Sequence, residues 1–174
     1  MTRYAAFLRA INLGSTNKIA MPALRALAER LGYSEVRTYI NSGNLLLQAT
    51  GTDQEVADAL QQAITAELGL KIDVAVRTED ELRTLLADNP FPDGNPSQVT
   101  VAFLTGPAPA GVQERIAALA GDEEPFVLSG REIWVNYSGG QGTSKLAAQF
   151  NRAVGVSSTV RNVRTVTKVV DLFG

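Results

Sequence analysis

Residues 35–49, EVRTYINSGNLLLQA, decide the fold. EVRTYI (35–40) alternates polar and apolar side chains, the period of a strand with one buried face, and LLLQA (45–49) is a second short apolar run. Between them stands Asn41-Ser42-Gly43-Asn44, residue types that turn tightly because Asn and Gly tolerate the left-handed backbone region. Together they predict a β-hairpin. A lone hairpin is barely stable in water and needs further strands or a helix against its apolar face.

The flanking sequence supplies both. Upstream, YAAFLRA (4–10) reads as a strand, INLGSTNKIA (11–20) as a loop, and MPALRALAERLG (21–32) as a helix with Leu24, Leu27 and Leu31 at helical spacing. Pro22 suits the first turn and Gly32 the stop. Downstream, Asp53 is expected to cap a helix with apolar residues at 56, 60, 64 and 68 and Gly69 as its stop. KIDVAVR (71–77) then alternates as a strand.

The second half repeats this order without repeating its letters. Thr78 and Glu81 form a capping-box signature for a helix over about 79–88, which ends before Asn89-Pro90-Phe91-Pro92. QVTVAFL (98–104) is a strand, VQERIAALA (112–120) a helix, and PFVLS (125–129) with EIWVNY (132–137) a second hairpin around Gly130. A glycine-rich stretch leads into a helix at about 144–153, VSSTVR (156–161) is a short strand, and NVRTVTKVVDLF (162–173) reads as a helix. The order βαββαβ closes into a four-stranded antiparallel sheet with helices on one face. The expected class is α+β, with two ferredoxin-like (α/β-plait) halves plus linker and C-terminal helices. The expected division is 1–77, a linker helix and proline-rich loop over 78–97, and 98–174.

Composition limits the chemistry. The 174 residues include no cysteine and no histidine. There is thus no thiolate nucleophile, disulfide or imidazole ligand, and no transition-metal site or cofactor is expected. The net charge of −2 argues against a generally basic nucleic-acid binder. No stretch approaches the roughly 18 apolar residues of a membrane span, and the short apolar start reads as a strand rather than a signal peptide. A soluble cytoplasmic protein without a membrane partner is expected. Two windows, 1–28 and 133–170, contain no acidic residue and so favour a local positive field.

Four polar clusters are candidate sites. Arg9, Asn12 and Lys18 share the loop after the first strand with Gly14. Asn41, Ser42 and Asn44 form the hairpin turn, which turn chemistry alone also explains. Gly139-Gly140-Gln141-Gly142-Thr143-Ser144-Lys145 precedes a helix. Such loops hold anions because unpaired N–H groups and the positive end of the helix dipole face the ligand, here with Gly140, Gly142, Ser144 and Lys145 as contacts. The order of residues is not that of a P-loop, and capping by Ser144 or Thr143 is the plainer alternative. Arg161 and Asn162 open a basic segment continued by Arg164, Thr165 and Lys168, with a solvated helix face as its alternative. Trp134 and Tyr137 stand three apart on one strand and so point to opposite faces, with Trp134 expected in the core. The acids at 79–81 and 122–124 read as a helix start and a solvated loop.

FLRAINLGSTNKIAMPALRALAERLGYSEVRTYINSGNLLL (7–47) resembles the start of the family called domain of unknown function 1697. NPF (89–91), GREIWVNYSGGQGTSKL (130–146) and TVRNVRTVTKVVDL (159–172) resemble its later segments. Relatives commonly carry glycine where Ala10 stands, and often two glycines in place of Gly14-Ser15. The resemblance implies a soluble bacterial protein with two ferredoxin-like halves and implies no activity. From the residues themselves, the expected function is binding of a phosphate- or carboxylate-bearing small molecule at the glycine-containing loops. The alternatives are an enzyme using Lys145 or Ser144 in the same pocket, and a weak nucleic-acid-binding module acting through the basic 145–168 face.

Overall fold

The computed structural model describes residues 1–174 and contains eight strands and six helices. Two compact units emerge: Met1–Leu85 with Lys168–Gly174, and Leu86–Thr167.

In the first unit β1 (Thr2–Leu8), β2 (Ser34–Tyr39), β3 (Asn44–Ala49) and β4 (Val74–Thr78) form one sheet in the order β2-β3-β1-β4, every neighbouring pair antiparallel. Period-2 alternation sends Tyr4, Ala6 and Leu8 to one face with Leu45, Leu47, Val74 and Val76. There α1 (Met21–Arg30) contributes Leu24, Leu27 and Ala28, and α2 (Asp53–Leu68) contributes Val56, Leu60 and Ile64. The opposite-face residues Ala5, Phe7, Leu46 and Ala75 are buried as well, as is Arg77, whose Nη1 donates to the Val76 carbonyl at 2.9 Å.

Thr52, and not Asp53, caps α2. The Thr52 hydroxyl accepts from the Glu55 amide at 3.2 Å, and the Glu55 carboxylate accepts from the Thr52 amide at 2.7 Å. This reciprocal pair satisfies two amides that the helix leaves open, which Asp53 at the first helical position does not. Strand β4 begins only at Val74, later than the alternation of 71–77 predicts. Thr78 and Glu81 make the expected capping box at α3 (Glu79–Ala87), at 2.8 and 3.1 Å. At the other end of the chain, two arginines of this unit donate to the last turn of the final helix, Arg37 to the Leu172 carbonyl at 2.6 Å and Arg3 to Phe173 at 3.2 Å, and Arg83 donates to Gly174 just beyond it at 3.1 Å. Cations at a helix C-terminus complement the negative end of its dipole.

In the second unit β5 (Val99–Leu104), β6 (Phe126–Ser129), β7 (Glu132–Asn136) and β8 (Ser158–Asn162) form a sheet in the order β6-β7-β5-β8, again antiparallel throughout. Its core gathers Ala102, Leu104, Ile133 and Val135 against Val112 and Ile116 of α4 (Val112–Leu119) and Leu146, Phe150 and Val154 of α5 (Lys145–Val154). Tyr137 joins this core, while Trp134, also buried, is registered with Val101 on the other face. The last helix, α6, spans Val163–Phe173. The molecule is therefore a mixed α+β protein with two four-stranded antiparallel sheets.

Candidate functional site

The loop after β1 is a small hairpin of its own. The Asn12 amide donates to the Asn17 carbonyl at 3.1 Å, the Thr16 amide to Leu13 at 3.0 Å, and Gly14 turns the chain with φ +58°. The Asn12 side chain ties this loop down. Its Nδ2 donates to the Ile19 carbonyl at 2.9 Å and to the Asn41 carbonyl at 2.7 Å, and its Oδ1 accepts from the Ile19 amide at 2.9 Å. Beneath it, the Leu8 amide donates to the Gly43 carbonyl at 2.9 Å. The first two predicted clusters therefore meet.

The backbone here is strained. Five non-glycine residues of the chain have φ in the left-handed region, and four of them lie in these loops: Ala10 (+52°), Asn12 (+55°), Asn17 (+49°) and Ile40 (+51°). For Ala10 and Ile40 this conformation costs about 1–3 kcal/mol and persists only where surrounding contacts impose it. A β-branched residue there is an outlier, whereas Asn is tolerated. The left-handed Ala10 gives a physical reason for the glycine expected of relatives at this position.

The predicted residues of this region divide by role. Asn44 is fully buried, and its Nδ2 donates to the Tyr39 carbonyl at 2.9 Å and to Ser42 Oγ at 3.2 Å, so it holds the turn. Arg9 pairs with Asp73 at 3.6 Å, both side chains partly exposed. Lys18 and Asn41 are exposed and Ser42 is half-buried. Arg25 reaches from α1 to Thr38 Oγ1 at 2.6 Å. Neither 1–28 nor 36–52 contains a carboxylate. Leu13, read as a loop residue, and Ile40, read as the end of a strand, are 63% and 49% exposed, and β2 stops at Tyr39 so that Ile40 belongs to the turn. Strand alternation assigns Ile40 to a buried face, and only the left-handed turn at φ +51° reveals its exposure.

The glycine stretch in the second unit lines a cleft of about 680 Å³ with residues 118–124. Ser144 is the cap of α5, its hydroxyl accepting from the Ala147 amide at 3.1 Å, and Lys145 is the exposed first helical residue. Two loop amides have partners inside the loop: Gly140 donates to Tyr137 at 2.8 Å and Ser144 to Gln141 at 3.2 Å. Gly140 has φ +85°, but Gly142 does not lie at positive φ, and a side chain there would meet nothing within 4 Å. Asp122, Glu123 and Glu124 line the same cleft as Lys145. The apparently solvated acidic loop is thus a wall of this cleft, a proximity that no local signal announces. Burial, and secondarily the Glu124 carboxylate, pushes the Tyr137 phenol well above its usual range.

Asn162 accepts from the Thr165 amide at 2.9 Å and so caps the final helix. Arg161 donates to its neighbour's carbonyl, Val160, at 3.0 Å, and desolvation lowers its guanidinium pKa to about 10, which leaves it charged at neutral pH. Arg164 and Lys168 are exposed. No group of three or more carboxylates converges to hold a metal ion, and no helix is long and apolar enough to cross a membrane.

Fold and sites define a class: a mixed α+β protein whose candidate sites are polar loops. Within it, the chain belongs to the family described as Protein of unknown function (DUF1697), whose model matches residues 1–134. That span includes the Asn12–Asn41 region and ends before the glycine stretch. The chain is also similar to the solved structure of the conserved bacterial protein SP0830 from Streptococcus pneumoniae, with 22% identity over 99% of each chain and a TM-score of 0.77, a likeness of fold. A comparison with curated proteins finds no match.

Proposed function

We propose that this protein binds a small anionic molecule, phosphate- or carboxylate-bearing, on the paired loops of its first unit. The observation that carries this is the concentration of left-handed non-glycine residues in two loops braced by Asn12, inside stretches that hold no acid. Strain of this kind accumulates where a fold holds groups for a ligand. Lys18, Arg9, Asn41 and Ser42 supply the contacts, with Asn12 and Asn44 setting the geometry. The strand orders β2-β3-β1-β4 and β6-β7-β5-β8, each from a βαββαβ run, support reading the protein as two ferredoxin-like halves joined through the 78–97 segment.

The glycine stretch 139–145 is the second reading, favoured by its cleft and by Lys145. Three lining carboxylates oppose an anion there, and the internal hydrogen bonds of Gly140 and Ser144 remove two donors. Its use as a catalytic centre asks the Ser144 hydroxyl to leave its capping role. Nucleic-acid binding would rest on the exposed Lys145, Arg152 and Arg164 of the second unit, since Arg161 is partly buried.

Amide NMR titration with inorganic phosphate and with citrate tests the assignment. Shifts centred on residues 9–19 and 40–44, weakened at least about fivefold by Lys18→Ala and unchanged by Lys145→Ala, are expected, since one lost charge-assisted contact is worth about 1–3 kcal/mol. Shifts confined to 138–147 and abolished by Lys145→Ala overturn it in favour of the glycine stretch.

A further inference from the structure

We propose that the ligand of the Asn12–Asn41 loops is an amphiphilic anion, a phosphate monoester with an alkyl or aryl group beside its charge. This inference rests on the anion reading above. Leu13 and Ile40 each stand one residue from the Asn12–Asn41 hydrogen bond, and both are largely in solvent, at 63% and 49% exposure. The 12–17 hairpin carries Leu13 on its exposed turn, with Gly14, Ser15 and Thr16 exposed beside it.

Ile40 makes the stronger case. Its φ of +51° is disfavoured for any β-branched residue, and Asn or Gly would make the same turn without that penalty. Its half-exposed side chain recovers only part of the burial that stabilises an isoleucine in a core. A residue that breaks the local rule and is poorly repaid by the fold marks a functional demand, here for an apolar surface. The charge beside it selects the rest of the ligand. Lys18 is an exposed cation next to the Asn12-bonded Ile19, residues 1–28 and 36–52 contain no carboxylate, and Asp73, the carboxylate at the foot of the loop, is held by Arg9 at 3.6 Å. An exposed cation and two exposed apolar residues on the two loops that Asn12 joins match a molecule bearing a charged head and a short hydrocarbon group.

The test compares inorganic phosphate with ethyl, butyl and hexyl phosphate as free monomers, each titrated against the full chain by amide NMR. Affinity is expected to rise about two- to fourfold per added methylene over the first few carbons, the range set by partial to full burial of each group. The double variant Leu13→Ser, Ile40→Asn should flatten that series to within about twofold of inorganic phosphate and melt no lower than the parent, because Asn accepts the left-handed region. Leu13→Ser alone, at an exposed site, is the second variant and should lower the slope partway. Equal affinity for all four probes, with shifts in these loops, overturns the amphiphile and leaves the anion reading standing. Absence of binding by every probe overturns both. Binding to vesicles of phosphatidylcholine and phosphatidic acid without binding to free hexyl phosphate overturns the soluble ligand in favour of a lipid headgroup.

Discussion

The side-chain amide of Asn12 donates to the backbone carbonyl of Asn41 at 2.7 Å, joining the loop after β1 to the turn between β2 and β3. The same side chain also makes two bonds to Ile19, so one residue satisfies backbone groups on both sides of the junction. Asn12→Ala removes all three and leaves alanine at φ +55°. A loss of about 2–3 kcal/mol is expected, from hydrogen bonds worth about 1 kcal/mol each offset by solvation of the exposed partners. Urea denaturation measures it, and a midpoint unchanged from the parent contradicts the bracing role.

Two glycines separate backbone need from mere turn composition. A side chain at Gly43 would lie 2.7 Å from Ile11 Cδ1 and 2.9 Å from Leu8 Cβ, at φ +89°. Gly43→Ala is expected to cost about 3 kcal/mol, because overpacking and a left-handed alanine add. Gly142 has free space and no positive φ. Gly142→Ala should therefore stay within about 0.5 kcal/mol of the parent, as exposed substitutions do. Thermal melts of both variants check the order, and equal effects contradict it.

Ser158 Oγ and Thr159 Oγ1 are buried without a hydrogen-bond partner. Burying an unpaired hydroxyl is unfavourable, and an apolar replacement of the same shape relieves it. Thr159→Val should stabilise by about 1 kcal/mol, and Ser158→Ala should be neutral or slightly stabilising. Chemical denaturation decides. A loss above about 1 kcal/mol in Thr159→Val, the size of a typical hydrogen bond, means that the hydroxyl has a partner in solution.

Tyr137 gives the stability curve an alkaline limit. The unfolded chain releases the phenolic proton near pH 10, whereas burial beside Glu124 keeps it bound to the folded chain at higher pH. Above about pH 10 the folded state therefore binds more protons than the unfolded state, and stability falls as pH rises. Tyr137→Phe should make the decline between pH 9 and 11 shallower. Melting temperatures of parent and variant across that range test this, and parallel declines contradict it.

Local signals carried much of the architecture. The strand signals around the turn at 41–44 foretold the β2–β3 hairpin but not the register shift between Ser34 and Arg37 or the loss of Ile40 to the turn, and the Thr78–Glu81 pair foretold the start of α3. Ser144 was legible as a helix cap, and the odd spacing of Trp134 and Tyr137 placed them on opposite faces. These features depend on residues within about four positions of one another, a range that backbone period and capping geometry govern. The cap of α2 shows the edge of that reach. Thr52 and Asp53 are both good caps, and the reciprocal bond with Glu55 selects Thr52.

By itself, then, the sequence determined the order of elements, the two hairpins, and the absence of thiol and imidazole chemistry, because composition and short-range spacing suffice for these. Only the tertiary structure decided that Asn12 meets Asn41, that Asp122–Glu124 line the cleft of Lys145, and that Ile40 faces solvent. Each depends on residues far apart in the chain or on a backbone angle imposed from outside. In the first case, placing β3 beside β1 brings residue 41 to residue 12, and Gly43, whose missing side chain leaves room for Ile11, lets the loops close.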